Sequence, residues 1–212
     1  MEDNDAQSQL RKVARRRLVG AVVFGLMPTW RTGRVLVGKR LRQGELPLAT
    51  FIKSLGKQQV LRVPGTAVFM YSRPGSTPPA LLANLFHNRI LHTNVVILSV
   101  RTMDVPRVPP ADREELIDHG HGFFSVRLRF GFMEEPDVET ALLKLSDDRL
   151  PITADTLTFF LGRETVIASN IPGMANWRER LFAFQLRSAA SAARFFRLPA
   201  DRVVEVGSQV EI

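Results

Sequence analysis

A ten-residue apolar run, Leu18-Val19-Gly20-Ala21-Val22-Val23-Phe24-Gly25-Leu26-Met27, constrains this chain more than any other feature. It stops at Pro28, follows Arg11-Lys12-Val13-Ala14-Arg15-Arg16-Arg17, and precedes Trp30-Arg31-Thr32-Gly33-Arg34. A spanning helix needs about 20 apolar residues, so this run alone cannot cross a bilayer. A signal peptide also places basic before apolar residues, with an apolar region of about 7–15, but no small-residue cleavage site follows here. Tryptophan and arginine gather at the cytoplasmic edge of membrane helices. The run therefore reads as the end of a transmembrane helix whose beginning is missing. A buried core helix is the competing reading.

Charge supports the membrane reading. Residues 1–62 hold 13 basic and 4 acidic side chains, while residues 63–212 hold 16 and 17. A basic leader on a neutral body points to an anionic surface. Nucleic acid would use clustered Lys and Arg. It would not explain the apolar run between the two basic clusters, and no base-stacking aromatics are interleaved with the charges. A membrane surface explains both, so nucleic acid is not expected as a partner. The interface set is Phe24, Leu26, Met27 and Trp30 for the acyl boundary, with Arg15, Arg16, Arg17, Arg31 and Arg34 for head groups.

Residues 30–56 continue as helix. Gly44 breaks it, and Pro47 opens a short helix with Leu48, Phe51, Ile52 and Leu55 apolar and Gly56 as its stop. The body then reads as strand and helix in turn. Thr66–Tyr71 is a strand. Pro78-Pro79 opens a helix carrying Leu81, Leu82, Leu85, Phe86 and Ile90. Val95–Val100 is a nearly continuous apolar run, the mark of a strand covered on both faces. Strand, helix, strand at this spacing predicts two parallel strands. Phe124–Phe130 alternates cleanly and predicts a strand with one polar face. A short helix with Val138, Leu142, Leu143 and Leu145 follows Pro136. Thr156–Phe160 and Glu164–Ala168 read as a hairpin turning at Leu161-Gly162-Arg163. The longest helix is expected to start near Gly173, with Trp177, Leu181, Phe184, Ala192 and Phe195 along one side and the small residues Ser188, Ala189, Ser191 and Ala192 allowing close packing. A strand from Arg202 toward Ile212 closes the chain. The predicted class is α/β or α+β: a mixed sheet with flanking helices, preceded by N-terminal helices that include a remnant of a transmembrane helix. The organisation expected is a polar leader at 1–17, a helix end and juxtamembrane helices at 18–58, and an α/β domain at 60–212. Residues 63–212 are expected to fold without the leader.

Reaction chemistry is not legible. The chain has no cysteine, hence no thiolate metal site and no catalytic thiol. His87 and His92 are five apart, and His119 and His121 flank Gly120, neither being the spacing of a zinc protease. They read as surface or capping histidines, and no metal is expected. Arg163-Glu164 and Arg178-Glu179-Arg180 read as structural ion pairs. Asp112, Glu114, Glu115 and Asp118 read as a solvated acidic loop. There is no phosphate-binding glycine loop, so no cofactor is expected and no cofactor-binding residue is assigned.

Several stretches together carry a resemblance: Arg62–Met70, Pro78–Leu82 with Asn84, His87, Asn88, Leu91 and His92, Asp104–Pro109, Arg129–Val138, Phe160–Thr165, Pro172–Phe184, and the close at Arg202–Gly207 with Val210–Ile212. They resemble the C-terminal cytosolic region of the Kup (KUP/HAK/KT) potassium uptake permeases, and Met27–Arg34 resembles the exit of that family's last membrane helix. The likeness covers roughly residues 18–212. It implies a regulatory or assembly domain of a potassium–proton symport system at the cytoplasmic face of the cell membrane, the inner membrane in a Gram-negative cell, or in the cytoplasm if truncated. The partners implied are the membrane surface and a transporter membrane domain, with potassium and protons entering through the resemblance only. A homodimer is admissible. The family's earlier helices have no counterpart in this sequence, so a truncated form is expected and the chain is not expected to move potassium alone. A soluble nucleotide-binding regulatory module is the alternative, and a free-standing enzyme is not expected.

Overall fold

The structure, a computed structural model, describes residues 2–56, 60–145, 147, 149–167, 174–188 and 191–211. The chain divides into two compact units. A sheet unit comprises Glu45–Glu164 and Ala190–Ser208; a helical unit comprises Met1–Gly44, Thr165–Ala189 and Gln209–Ile212.

The sheet unit is built on six strands: β1 (Leu61–Met70), β2 (Ile90–Met103), β3 (Glu114–Gly120), β4 (Phe123–Gly131), β5 (Leu157–Ile167) and β6 (Val203–Glu211). Their order is β3-β4-β2-β1-β5-β6. β1 runs parallel to both β2 and β5, and β2 runs parallel to β4. β3 runs antiparallel to β4. The sheet is therefore mixed, as its pattern of apolar runs implied.

Successive strand residues point to opposite faces, and here both faces are covered. On one side Val68, Val96, Leu98, Phe159 and Leu161 pack with Val138, Ala141 and Leu142 of α5 (Val138–Lys144). On the other, Ala67, Phe69, Val95, Ile97 and Phe160 pack with Leu48, Phe51 and Ile52 of α2 (Leu48–Leu55) and with Ala80 and Leu81 of α3 (Pro79–Asn88). Two covered faces explain the unbroken apolar runs in β1 and β2, since neither set of alternate side chains reaches water. β4 keeps its expected alternation. Phe124, Val126, Leu128 and Phe130 join the α5 side, while Arg127 and Arg129 both pair with Glu115 of β3.

Pro47 and Pro78 each precede a helix, their extended backbones (ψ 134° and 133°) delivering the chain into α2 and α3. A side-chain cap ends the approach to α5, where Asp137 accepts from the Thr140 N–H at 3.0 Å, satisfying a donor with no partner inside the helix.

Four expectations are corrected. The acidic stretch at 112–118 is not a solvated loop. It holds α4 (Pro110–Arg113) and most of β3, with Glu115 facing Arg127 and Leu116 facing Val126 across the ladder. Charge on an edge strand blocks unwanted pairing, which is why it reads as a loop. The hairpin at Gly162 is absent: β5 runs unbroken from Leu157 to Ile167. The tight turn lies instead between β3 and β4, where His121 (φ 55°) and Gly122 (φ 76°) give the two positive-φ residues that a two-residue loop needs. Ile90 belongs to β2, because α3 ends at Asn88 and Arg89 turns left-handed at φ 56°. The long C-terminal helix is two helices, α6 (Asn176–Arg187) and α7 (Ala192–Phe195), the latter capped by the Ser191 hydroxyl. Its expected start at Gly173, together with Ala168, Ala189 and Ile212, lies outside the described residues. The longest helix is α1, Glu2–Gln43, which passes through Pro28.

In the helical unit α1 packs on α6. Val37, Val166, Phe182, Ala183 and Val210 form a buried apolar cluster, joined by Leu36, Leu41, Met174 and Leu186. Gly33 makes this possible: a Cβ there would lie 2.3 Å from the Phe182 ring.

Candidate membrane-interface site

The candidate site is residues 15–34 of α1. Residues 18–27 are helical, so ten residues at about 1.5 Å each advance only about 15 Å, half the thickness of a hydrocarbon core. No helix among the described residues is long and apolar enough to cross a membrane. A proline inside a helix removes one N–H and crowds the carbonyl four residues back, here that of Phe24. Two threonines follow the break. Thr29 donates to the Gly25 carbonyl at 2.8 Å, and Thr32 to the Pro28 carbonyl at 2.8 Å.

Exposure around this segment is unusual in its completeness. Leu18, Val19, Val22 and Val23 are exposed, Phe24 is 80% exposed and Met27 70%. At about 100° per residue these side chains point around the whole helix rather than along one stripe. Arg15, Arg16 and Arg17 are exposed before the run, and Arg31 and Arg34 after it. The apolar segment is thus bounded by cations at both ends.

Two of the interface residues are held by α6. Trp30 is 36% exposed, and its ring sits 5.5 Å from that of Phe182. Leu26 is half-buried and its carbonyl accepts from the Gln185 amide at 3.4 Å. Arg178 donates from Nε to the Thr29 hydroxyl (3.2 Å) and from Nη2 to the Thr32 hydroxyl (3.3 Å). So α6 braces α1 next to Pro28, from position 26 to 33, and leaves positions 18–24 bare. The expected ion pairing around Arg178-Glu179-Arg180 is corrected accordingly. Arg178 bonds two hydroxyls, and Glu179 is completely buried with both carboxylate oxygens unpartnered. The arginine is placed by the same α1–α6 packing that Gly33 permits, and a glycine inside an otherwise good helix was the sequence signal for it.

The histidines lie elsewhere. His119 Nε2 is 2.8 Å from the Ser125 hydroxyl, His121 occupies the β3–β4 turn, and His87 stacks edge-on against Phe86. His92 is half-buried beside Phe160, and burial pushes its imidazole pKa down. Arg62 donates to the carbonyls of His92 (2.7 Å) and His121 (3.0 Å) and lies over the Phe123 ring, with burial lowering its pKa. That arrangement fastens the starts of β2 and β4 together. Among the described residues no group of three or more His, Asp or Glu could hold a metal ion.

Comparison with known proteins places the chain. The family profile described as K+ potassium transporter C-terminal domain matches residues 64–212. Proteins described as probable potassium transport system protein Kup, from Pseudomonas fluorescens (strain Pf0-1) and Pseudomonas aeruginosa (strain UCBPP-PA14), are each 51% identical over 195 residues, covering 92% of this chain and 31% of the relative. The same description applies to a relative in Pseudomonas putida (strain GB-1), 50% identical with the same coverage. The chain therefore spans about a third of the length of these curated relatives. No solved structure matches. With the profile extending over well more than half of the residues and taking in β1 to β6, the chain belongs to the K+ potassium transporter C-terminal domain family.

Proposed function

We propose that this chain acts as a non-catalytic regulatory or assembly domain of a potassium transport system, seated at an anionic membrane through α1. The observation that carries the reading is the bare apolar segment 18–27 between two exposed arginine clusters. A helix that is apolar all round belongs in an apolar surrounding. A bilayer offers one, with phosphates in reach of Arg15, Arg16, Arg17, Arg31 and Arg34. Each basic residue near an anionic surface contributes about 1 kcal/mol, and the attraction decays within a Debye length. The names of the relatives support the potassium part of the reading. The location that follows is the cytoplasmic face of the cell membrane, beside a transporter membrane domain.

Vesicle flotation across a salt series tests the seating. The intact chain is expected to float with phosphatidylglycerol vesicles at low salt and to keep part of that binding at high salt, through Phe24, Leu26, Met27 and Trp30. The variant with Phe24, Leu26 and Trp30 all changed to Ser is expected to bind only at low salt. Equal flotation of both proteins at every salt concentration, or none by either, overturns the reading.

A further inference from the structure

The sheet unit carries an exposed apolar patch of its own. β2 and β4 are adjacent and parallel, with Met103 opposite Gly131 at their C-terminal ends. The two chains then leave as paired loops, 104–109 and 131–136. The Phe132 N–H donates to the Val105 carbonyl (2.9 Å), and the Met133 N–H to the Pro106 carbonyl (3.1 Å). Gly131 allows this approach, since a Cβ there would lie 2.3 Å from the Pro106 oxygen.

Glu134 locks the pair. Its carboxylate accepts from the Gly131 N–H (2.6 Å), the Val108 N–H (3.1 Å) and Arg113 (2.5 Å). One side chain thus ties both loops to α4. On that fixed frame four apolar side chains face water: Met103, Val105, Phe132 at 60% exposure and Met133 at 68%. Exposed apolar side chains gathered on two backbone-paired loops suit an interaction surface. A rigid frame lowers the ordering cost of using one. Nothing in the core of the sheet unit requires these residues to be apolar.

The charges beside the patch select the occupant. Arg101 and Arg107 are exposed, and neither makes an ion pair among the described residues. Asp104 is exposed between them, so the rim is net positive by one. The acidic groups nearest in sequence are already engaged: Glu134 with Arg113 and Glu135 with Arg197. Aromatic and thioether side chains projecting from loops, rimmed by free guanidinium groups, match the boundary between acyl chains and phosphates. We propose that the paired loops 104–109 and 131–136 form a second membrane contact, in which Phe132 and Met133 enter the interface of an anionic bilayer while Arg101 and Arg107 meet its phosphates. The proposal rests on the reading that this chain works at a membrane, but it uses residues remote in sequence from α1.

The test exploits the absence of cysteine from the chain. The full-length variants Met133→Cys and Met27→Cys each accept one environment-sensitive fluorophore and are titrated with phosphatidylglycerol vesicles. The label at 133 is expected to shift to the blue and brighten on vesicle addition, and to do so less on neutral phosphatidylcholine. Replacing Arg101 and Arg107 with Gln is expected to weaken the response at 133 by about fivefold for each arginine at low salt. A response at 27 with none at 133 overturns the loop contact and leaves the seating of α1 intact. A response at 133 with none at 27 does the reverse. Silence at both sites overturns both. A blue shift at 133 that grows with protein concentration in the absence of vesicles identifies self-association as the occupant and overturns the proposal.

Discussion

Replacing Gly33 with Ala tests the physical account of the helical unit, because a closely matched control sits eight residues away. At Gly33 a new Cβ would meet three atoms of the Phe182 ring at 2.3, 2.4 and 2.6 Å. Phe182 is fully buried and its ring also contacts Trp30, so it has no free direction in which to swing. At Gly25 a Cβ would meet nothing within 4 Å. Both sites are interior to α1, so both substitutions gain roughly 1 kcal/mol of helix propensity. At Gly33 overpacking opposes that gain with a cost of about 1–3 kcal/mol. If α6 lifts away instead, the burial of Phe182 is lost, again about 1.5–3 kcal/mol. The clash wins at 33 and propensity wins at 25. Gly25→Ala should stabilise by up to about 1 kcal/mol, and Gly33→Ala should destabilise by up to about 2 kcal/mol. Denaturant melts followed by circular dichroism read the difference, and amide exchange in 176–187 locates it. Phe182→Leu added to Gly33→Ala should recover part of the loss, a coupling expected only of residues in contact. Should Gly33→Ala prove as stable as Gly25→Ala, the close approach of α1 and α6 is refuted.

Glu179→Leu should stabilise the helical unit: it removes two unpartnered buried oxygens, a gain of about 1–3 kcal/mol, against a smaller loss of about 0.3–1 kcal/mol from a carboxylate in the first turn of α6; a lowered melting midpoint would contradict this. Glu134 has its pKa lowered from 4.5 to about 2, first by the Gly131 N–H and then by Arg113 and the Val108 N–H. A depressed carboxylate stabilises the fold above its unfolded pKa and loses that contribution as pH falls toward about 2. Amide protection in 104–109 and 131–136 should therefore fall between about pH 4.5 and pH 2, and in Glu134→Gln it should be low already at neutral pH and flat across that window. A chain begun at Glu45 keeps α2, whereas one begun at Val63 lacks Leu48, Phe51 and Ile52 from the core. Three lost side chains at about 1.5–3 kcal/mol each approach the whole stability of a domain. The first should melt cooperatively; the second should not, which reverses the expectation from sequence that residues 63–212 fold by themselves, because α2 supplies part of the core; thermal circular dichroism reads both.

That last contrast shows where sequence reading succeeds and where it stops. Periodicity finds elements, and it located α2, α3, α5, β1, β2, β4 and β6 because each has a covered face that forces apolar residues into a helical or strand rhythm. It does not say which element covers which. Leu48, Phe51 and Ile52 read as juxtamembrane helix, yet they seal one face of the sheet over Phe69 and Phe123. β3 was invisible for the opposite reason. An edge strand needs only one partner, so its outer residues can be charged, and Glu115 was chosen by two arginines on β4 that lie twelve and fourteen residues away. The false hairpin at Gly162 shows a third limit. Glycine permits a turn without requiring one, and the backbone there stays extended between Leu161 and Arg163.

The candidate site divides along the same line. The apolar run and its arginines were legible as composition, which needs no tertiary information. The bracing of α1 was not, because it depends on contacts about 150 residues apart: Arg178 with Thr29 and Thr32, Phe182 with Gly33 and Trp30, Gln185 with Leu26. These contacts cluster around Pro28, where the helix has lost a backbone hydrogen bond and would otherwise kink freely. Bracing at that point holds Trp30, Arg31 and Arg34 on one rigid segment while residues 18–24 stay uncovered by α6. Under the proposed membrane seating, a surface that enters a bilayer has to be apolar, exposed and mechanically held by the helices around it. In this chain the run supplies the first property, the end of α6 at Arg187 the second, and Gly33 with Phe182 the third.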